Sequence, residues 1–298
     1  MEHLTGFRMA GCSLCLYTPQ PLALEPFFLP YRAAPEAEAV RCRFLPCPAL
    51  PAPQPSARLL FADGMHRIYW TPDGIDQYFY IPYHGAPEPG SRAPDAWQRL
   101  DGAAPRVLFR PEAAHYFATA CGCFNALKLE RLLIGAGRAV LHASFIEWQG
   151  TGIAFTAPSG VGKSTQAALW ERWAGAETVN GDRMAFGVAE GRFCGFGIPV
   201  AGSSQIFRNR RLPLRAVVLL EQGPENRAER ETPARALPFL LSQTTVNRWD
   251  GAFMTRALEL LDGLLRQVPV FRLRCRPDEG AVACLLSALE EAPAKSPG

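Results

Sequence analysis

Lysine is scarce in this chain of 298 residues. Of its 31 basic side chains only three are lysine, at positions 128, 163 and 295, and the other 28 are arginine. Against 28 acidic side chains they leave a net charge of +3, too small for a dedicated nucleic-acid binder or a polybasic membrane anchor. No apolar run reaches the roughly 18 to 20 residues that cross a bilayer. We therefore expect neither nucleic acid nor a membrane as a partner, and each internal lysine is conspicuous.

Cysteines paired at zinc-binding intervals are also lacking. The nine cysteines are thinly spread, and neither the pair Cys12 and Cys15 nor the pair Cys121 and Cys123 has a second pair at a zinc-ribbon interval. The opening residues, MEHLTGFRMA, contain no apolar run before a small-residue cleavage site. We expect a reduced, cytoplasmic protein with ordinary thiols.

Proline is abundant but unevenly placed, since 17 of the 27 prolines lie in residues 1–111. Proline has no N–H to donate to a sheet ladder, so this part should be rich in turns. Two β-like runs, 67–70 and 77–81, are joined by a turn at 71–74. We expect residues 1–110 to form a small, mostly β N-terminal module for substrate or partner recognition, with its boundary in the segment 87–105.

Near residue 112 the chain changes to interleaved helical and extended patterns, as a three-layer α/β fold requires. The predicted helices are 112–134, 164–173, 233–242, 251–267 and 277–290. The predicted strands are 140–148, 153–156, 178–188, 193–200, 216–221 and 270–275. We therefore expect an α/β domain over residues 111–292, followed by a frayed tail at 293–298.

The most informative segment is a glycine-rich loop between an apolar strand and a helix. This glycine loop, residues 157–165 (APSGVGKST), has the context of a phosphate-binding P-loop, or Walker A motif, with Ala157 in place of its first glycine. Lys163 would reach the β- and γ-phosphates of a nucleotide and Ser164 would ligate Mg²⁺. A fortuitous glycine-rich turn is the alternative. The expected nucleotide-binding residues are Ser159, Gly160, Val161, Gly162, Lys163, Ser164 and Thr165.

A histidine lies on the strand before the glycine loop. The runs 140–148 and 153–156 are close enough to form an antiparallel hairpin. With Gly150 and Thr151 at its tip, His142 would lie opposite about Ser159, at the mouth of the loop. A catalytic role and a hydrogen-bonded place in the core are both open for this histidine.

An aspartate interrupts the apolar strand that follows, in the run TVNGDRMAF (178–186). A buried carboxylate is costly unless it ligates a metal, pairs with a charge or takes part in chemistry. We therefore expect Asp182 to be a metal ligand or the base that accepts a substrate hydroxyl proton. Its alternative role is to stabilise a turn beside Gly181.

Four motifs together resemble the C-terminal catalytic domain of HPr kinase/phosphorylase, a family similar in fold to phosphoenolpyruvate carboxykinase. They are LHAS (141–144), APSGVGKST (157–165), VNGDR (179–183) and GFGIPVAG (195–202). The resemblance covers about half of the chain, residues 138 to 290. It implies a P-loop kinase domain that transfers the γ-phosphoryl group of ATP or GTP to a hydroxyl with Mg²⁺.

The same resemblance implies a role for each matching residue. Lys163 would be the phosphate clamp, Ser164 the metal ligand, Asp182 the catalytic or metal-binding carboxylate and His142 its partner. Relatives usually have two consecutive acids at the aspartate, whereas Gly181 precedes Asp182 here. The chain could thus be a slow or inactive kinase, or His142 could substitute as the base.

The acceptor is less well defined by the sequence. We expect a serine of a peptide or protein, or a small hydroxy metabolite, to bind beside the glycine loop; HPr itself is not expected. Gly197 and Gly202 would allow close approach, and Arg208, Arg210 and Arg211 would suit a phosphate or carboxylate, unless they form an exposed basic turn.

Two other functions remain open. A non-catalytic nucleotide-dependent peptide- or partner-binding protein is favoured by Gly181. A carboxykinase-like lyase would need a second metal and more carboxylate-binding arginines. The sequence leaves open whether the chain forms a homo-oligomer.

Overall fold

The computed structural model describes residues 2–83, 89, 91–102, 104–200 and 202–291. The chain divides into two compact units, Met1–Leu129 and Glu130–Gly298. The predicted frayed tail at 293–298 lies outside the described residues, as do residues 87, 88, 90 and 103 of the predicted boundary segment.

The first unit is built on a nine-stranded sheet with the strand order β3-β1-β2-β4-β9-β8-β7-β6-β5. Its strands are β1 (His3–Met9), β2 (Cys12–Thr18), β3 (Arg32–Ala33), β4 (Val40–Pro46), β5 (Arg58–Ala62), β6 (His66–Thr71), β7 (Gly74–Phe79), β8 (Ala96–Arg99) and β9 (Arg106–Phe109), and its helix is α1 (Ala120–Leu127). The ladders β2–β4 and β4–β9 are parallel. The two strands expected near 67–70 and 77–81 are β6 and β7, which pair as an antiparallel hairpin.

The segment expected to separate the domains is part of this sheet, because β8 pairs with both β7 and β9. The single helix predicted over 112–134 is wrong. A short 3-10 turn precedes α1, whose first turn is capped by the Thr119 side chain accepting from the Gly122 N–H, and α1 ends at Lys128 in the left-handed region. The aromatic ring of Phe124 in α1 packs against Phe7 and Phe28, which ties this helix to the first unit.

The second unit is a mixed α/β structure, as predicted. Its helices are α2 (Leu129–Gly135, which starts at the last residue of the first unit), α3 (Lys163–Ala174), α4 (Pro233–Gln243), α5 (Gly251–Gln267) and α6 (Glu279–Glu291). Its strands are β10 (Ala139–Trp148), β11 (Thr151–Thr156), β12 (Glu177–Asn180), β13 (Arg183–Ala189), β14 (Arg192–Gly197), β15 (Arg211–Gln222), β16 (Arg227–Arg230) and β17 (Val270–Cys275). None of the helices in the described residues has the length and apolar character for a membrane crossing.

Seven strands of this unit follow the order β11-β10-β13-β14-β15-β17-β16, and the eighth, β12, pairs with β10. An additional pairing of β11 with β15 closes five strands into a ring. β11 and β17 both run parallel to β15, so their carboxyl ends lie at one edge. Along the strands the side chains alternate between two cores. Ala154, Val217 and Leu219 pack with α4 and α5. Phe155 and Val218 pack with α3 and α6.

Candidate active site

The glycine loop leaves the carboxyl end of β11 and runs directly into α3. Gly160 has φ 82° and Gly162 has φ 120°, conformations that side-chain-bearing residues rarely adopt. A Cβ atom at either position would meet no heavy atom within 4 Å, so both glycines border open space. Ser159, Ser164 and Thr165 are exposed and Val161 is half-buried. The loop thus presents backbone and hydroxyl groups at the start of a helix, where anions are stabilised.

Lys163 lies in the floor of the glycine loop. Its side chain is buried, and its Nζ donates to the carbonyl oxygens of Ala157 at 3.0 Å and Pro158 at 3.3 Å. Burial lowers the pKa of Lys163 from its ordinary value; the Asp182 carboxylate opposes this shift and the Arg183 guanidinium adds to it. The ammonium group is therefore within electrostatic range of both residues.

The hairpin that carries His142 forms, but its predicted tip is wrong. Trp148 pairs with Thr151, so Gln149 and Gly150 make the turn, with φ of 50° and 72°. Positive φ at both turn residues matches the right-handed twist of a two-residue hairpin. The ladder reaches Ala143 opposite Thr156. His142 is therefore level with residue 157, at the beginning of the glycine loop, and not with Ser159.

His142 and Asp182 face each other beside this loop. Their nearest atoms, His142 Nε2 and Asp182 Oδ1, are 3.6 Å apart, and the side chains are 22% and 31% exposed. Burial lowers the pKa of His142, Lys163 and Arg183 lower it further, and Asp182 and a hydrogen bond with Gln243 oppose the change. The surroundings of His142 therefore favour its neutral form. His142, Lys163, Asp182 and Arg183 form one group, the charge cluster.

Asp182 owes its position to a break between β12 and β13. The strand predicted over 178–188 leaves its ladder at Gly181 and Asp182, where the Asp182 carbonyl accepts from the Ala143 N–H at 3.0 Å. The Ser144 hydroxyl donates to the Gly181 carbonyl at 3.0 Å. The break turns the carboxylate out of the sheet, toward His142.

Gly181, which takes the place of an acid in the resembling family, is closely packed. A Cβ atom there would overlap the Ser204 hydroxyl oxygen, and the Gly181 N–H donates to the Ile206 carbonyl at 3.2 Å. The position cannot carry a side chain unless Ser204 moves. Gly202 begins the short 3-10 turn that ends at Ser204, and a Cβ atom on Gly202 would lie 2.6 Å from the Asp182 Cβ.

Arg183 and Gln243 were not among the predicted site residues. Arg183 pairs with His142 in the β10–β13 ladder, its Nε lies 3.5 Å from Asp182 Oδ2, and its Nη1 donates to Thr245 Oγ1 at 2.7 Å. The signal for Arg183 was its place in the run VNGDR. Gln243 ends α4 and is 101 residues from His142 in the sequence, so no local pattern indicates their contact.

The predicted acceptor residues do not come together. Gly202 lies against Asp182, but a Cβ atom on Gly197 would overlap the Arg208 carbonyl oxygen, so Gly197 is closed off by backbone. Arg208 forms an ion pair with Glu177, Arg210 with Glu147, and Arg211 with Glu190.

Arg210 and Arg211 are also far from the glycine loop along the sheet. Glu147, the partner of Arg210, pairs with Gly152 at the beginning of β11. Arg211 precedes Leu214, the residue of β15 that also pairs with Gly152. The structure therefore places both arginines toward the edge opposite to the loop.

The predicted Mg²⁺ ligands are a hydroxyl and a carboxylate. Within the described ranges, no three His, Cys, Asp or Glu residues are grouped so as to hold a metal ion. Mg²⁺ often takes only one or two protein oxygens and completes its shell with substrate phosphates and water. The exposed Ser164 hydroxyl at the start of α3 and the half-exposed Asp182 carboxylate have the donor chemistry of such a site.

No family model and no curated protein matches the sequence. Among solved structures, the chain is similar to the Hpr(Ser) kinase/phosphatase from Coxiella burnetii, with 15% sequence identity and a TM-score of 0.31. The match covers 51% of this chain and 95% of that one.

Proposed function

We propose that the second unit is a P-loop kinase domain of the HPr kinase/phosphoenolpyruvate carboxykinase type, which transfers the γ-phosphoryl group of a Mg²⁺-bound nucleotide, ATP or GTP, to a hydroxyl. The acceptor is a serine of a peptide or protein, or a small hydroxy metabolite. One observation carries the proposal. An imidazole and a carboxylate 3.6 Å apart lie beside a glycine loop, within electrostatic range of its lysine.

Binding of the phosphates is assigned to the glycine loop. Its backbone N–H groups and the positive end of α3 favour anions, and Lys163 adds a full charge. The bound Mg²⁺ ion would neutralise charge on the phosphates, held by Ser164 and Asp182. Lys163 exchanges its present carbonyl partners, Ala157 and Pro158, for phosphate oxygens.

The transfer itself needs a base and a charge stabiliser. The acceptor oxygen forms a bond to the γ-phosphorus while the bond from that phosphorus to the β–γ bridging oxygen breaks. The hydroxyl proton passes to Asp182, or to His142, whose surroundings favour the neutral form that can accept a proton. Arg183, fixed by Thr245, adds a second cation beside Lys163 for the charge that develops on the transferred group.

The proposal is tested with the purified full-length chain, Mg-ATP or Mg-GTP, and a panel of serine peptides and free hydroxy amino acids. Phosphorus NMR of the products should show a phosphate monoester on at least one acceptor. The Lys163→Ala variant should lose this product. Nucleotide binding with no ester on any acceptor would contradict the kinase proposal.

A non-catalytic, nucleotide-dependent binding protein is the second candidate, favoured by the single carboxylate and by the packing of Ser204 against Gly181. It predicts that nucleotide changes the affinity for a peptide partner without any turnover. A carboxykinase-like lyase has less support, because Arg208, Arg210 and Arg211 already pair with glutamates.

A further inference from the structure

A cavity of about 800 Å³ opens beside the glycine loop. Pro158 and Val161 of the loop form one wall, and residues 220–224 at the end of β15 form another. Phe239 of α4 and Arg274 of β17 complete it. The lining therefore joins the glycine loop to the carboxyl ends of β15 and β17, the kind of edge at which ligands of parallel α/β sheets bind.

The cavity and the charge cluster lie on opposite sides of β11. At the end of β11, Thr156 pairs with Ala143 of β10 on one side and with Leu219 of β15 on the other. His142 follows on the first side. On the second side β17 continues the sheet, with Arg274 opposite Glu221. From β10 to β17 the edge spans three strand spacings, about 14 Å, with the glycine loop between its ends.

The chemistry of the two ends differs. The charge cluster holds the base and the cations. The cavity has apolar walls from Pro158, Val161 and the half-buried aromatic ring of Phe239. Its polar rim contains Arg274, whose Nη2 lies 3.3 Å from Glu221 Oε2. Glu221 also pairs with Arg272, so this carboxylate holds the edge of each guanidinium. An aromatic face and the planar face of a guanidinium are stacking partners for a nucleobase.

We infer that this cavity binds the base and ribose of the nucleotide, with Phe239 and Arg274 against the base. The triphosphate then crosses the glycine loop and directs its terminal phosphorus toward His142 and Asp182. This inference rests on the proposed function, since it assumes that the glycine loop binds a nucleotide. It adds a nucleoside site and fixes the direction in which the nucleotide lies.

Calorimetric titration of the full-length chain with ADP and with inorganic tripolyphosphate, both with Mg²⁺, tests the inference. Phe239→Leu keeps an apolar side chain but removes the ring, and it should weaken ADP binding about tenfold, in the range reported for base–aromatic stacking. Tripolyphosphate affinity should stay within about twofold, because it contacts only the loop. Trp173→Leu, which changes an exposed aromatic of α3, is the matched control and should alter neither affinity.

Arg274→Ala provides an independent variant, since this side chain is 58% exposed and its loss should not prevent folding. It should weaken ADP binding and leave tripolyphosphate binding unchanged. An equal loss for both ligands would mean that the cavity faces the phosphates, and it would overturn the inference. An unchanged ADP affinity in both variants would overturn it as well.

The outcomes separate the inference from the kinase proposal. A chain that binds ADP through Phe239 and Arg274 but phosphorylates no acceptor supports the nucleoside site and contradicts the kinase. A chain that phosphorylates an acceptor, with ADP affinity indifferent to both variants, supports the kinase and overturns the nucleoside site.

Discussion

A histidine lies beside an aspartate in each of the two units, and the two pairs are built differently. In the first unit His66 is 4% exposed; its Nδ1 lies 3.1 Å from Asp63 Oδ1, and its Nε2 lies 3.1 Å from the Asn125 carbonyl oxygen. In the second unit His142 Nε2 lies 3.6 Å from Asp182 Oδ1, and the imidazole is near two cations, Lys163 and Arg183.

The carboxylates differ in the same way. Burial raises the pKa of Asp63, but hydrogen bonds from the His66 ring and from the backbone N–H groups of Met65 and His66 outweigh it and lower the pKa to about 2. These bonds stabilise the fold. The Asp182 carboxylate has Arg183 Nε at 3.5 Å and His142 Nε2 at 3.6 Å, both beyond ordinary hydrogen-bond length. We infer that a buried pair in hydrogen-bond contact is structural, whereas a pair held beyond hydrogen-bond length leaves polar atoms for a ligand.

The largest expected effect is the difference in phosphoryl-transfer rate between variants of two lysines, one in each unit. Lys163→Ala should reduce phosphoryl transfer by about 100-fold or more, as for loss of one preorganised charge-stabilising group. Lys128→Asn, which removes an ammonium 5.5 Å from the Phe61 ring centre in the first unit, should leave transfer unchanged. Initial rates at saturating Mg-ATP measure both. Similar rates in the two variants would remove the distinction between the units.

The two aspartates should differ nearly as much in turnover. Asp182→Asn removes a proton acceptor from the charge cluster and should slow transfer by about 100-fold, the lower range for general base catalysis. Asp63→Asn should have the wild-type rate. If the Asp182→Asn variant keeps the wild-type rate, the base is His142. The double variant Asp182→Asn, His142→Ala should then lose activity.

The two histidines should differ in the opposite sense in stability. His66→Ala leaves the Asn125 carbonyl and the Asp63 carboxylate without their ring partner, so the free energy of unfolding should fall by about 2 kcal/mol. His142→Ala should cost less than about 1 kcal/mol, because its imidazole makes fewer and weaker contacts. Urea denaturation of both variants measures this. Equal losses would show that the His142 pair is also structural.

The smallest effect concerns pH. The folded pKa of His142 is below its unfolded value of about 6.5, so the unfolded chain binds more protons and stability falls as the pH falls through that value. The stability that Asp63 contributes is present above its ordinary pKa of 3.8 and is lost as the pH falls toward about 2. His142→Gln should flatten the stability curve between about pH 7 and 5, and Asp63→Asn between about pH 4 and 2. Chemical denaturation at a series of pH values tests this, and a change in the same window for both would contradict it.

Much of the second unit could be predicted from local patterns. The helix over 251–267 and the strand over 270–275 have the predicted bounds, because their apolar spacing is regular and their faces are buried. The predicted hairpin tip is wrong because Gln149 adopts a positive φ, a conformation that is usual for glycine and unusual for glutamine.

The first unit and part of the site depend on contacts that are distant in sequence. The parallel ladders that join β4 to β2 and β9 bring together segments about 25 and 65 residues apart, and no local pattern encodes such pairing. Likewise, Arg183 is oriented by Thr245 from beyond α4, so its role could not be inferred from the run VNGDR alone.

The close contact between Gly181 and Ser204 also limits which side chains position 181 can carry. A mutation of Gly181 to aspartate would force its new Cβ into the Ser204 hydroxyl, at a cost of about 1–3 kcal/mol for overpacking. A smaller residue at 204 would relieve this overlap. The Ser204 side chain thus decides whether a second carboxylate fits next to Asp182.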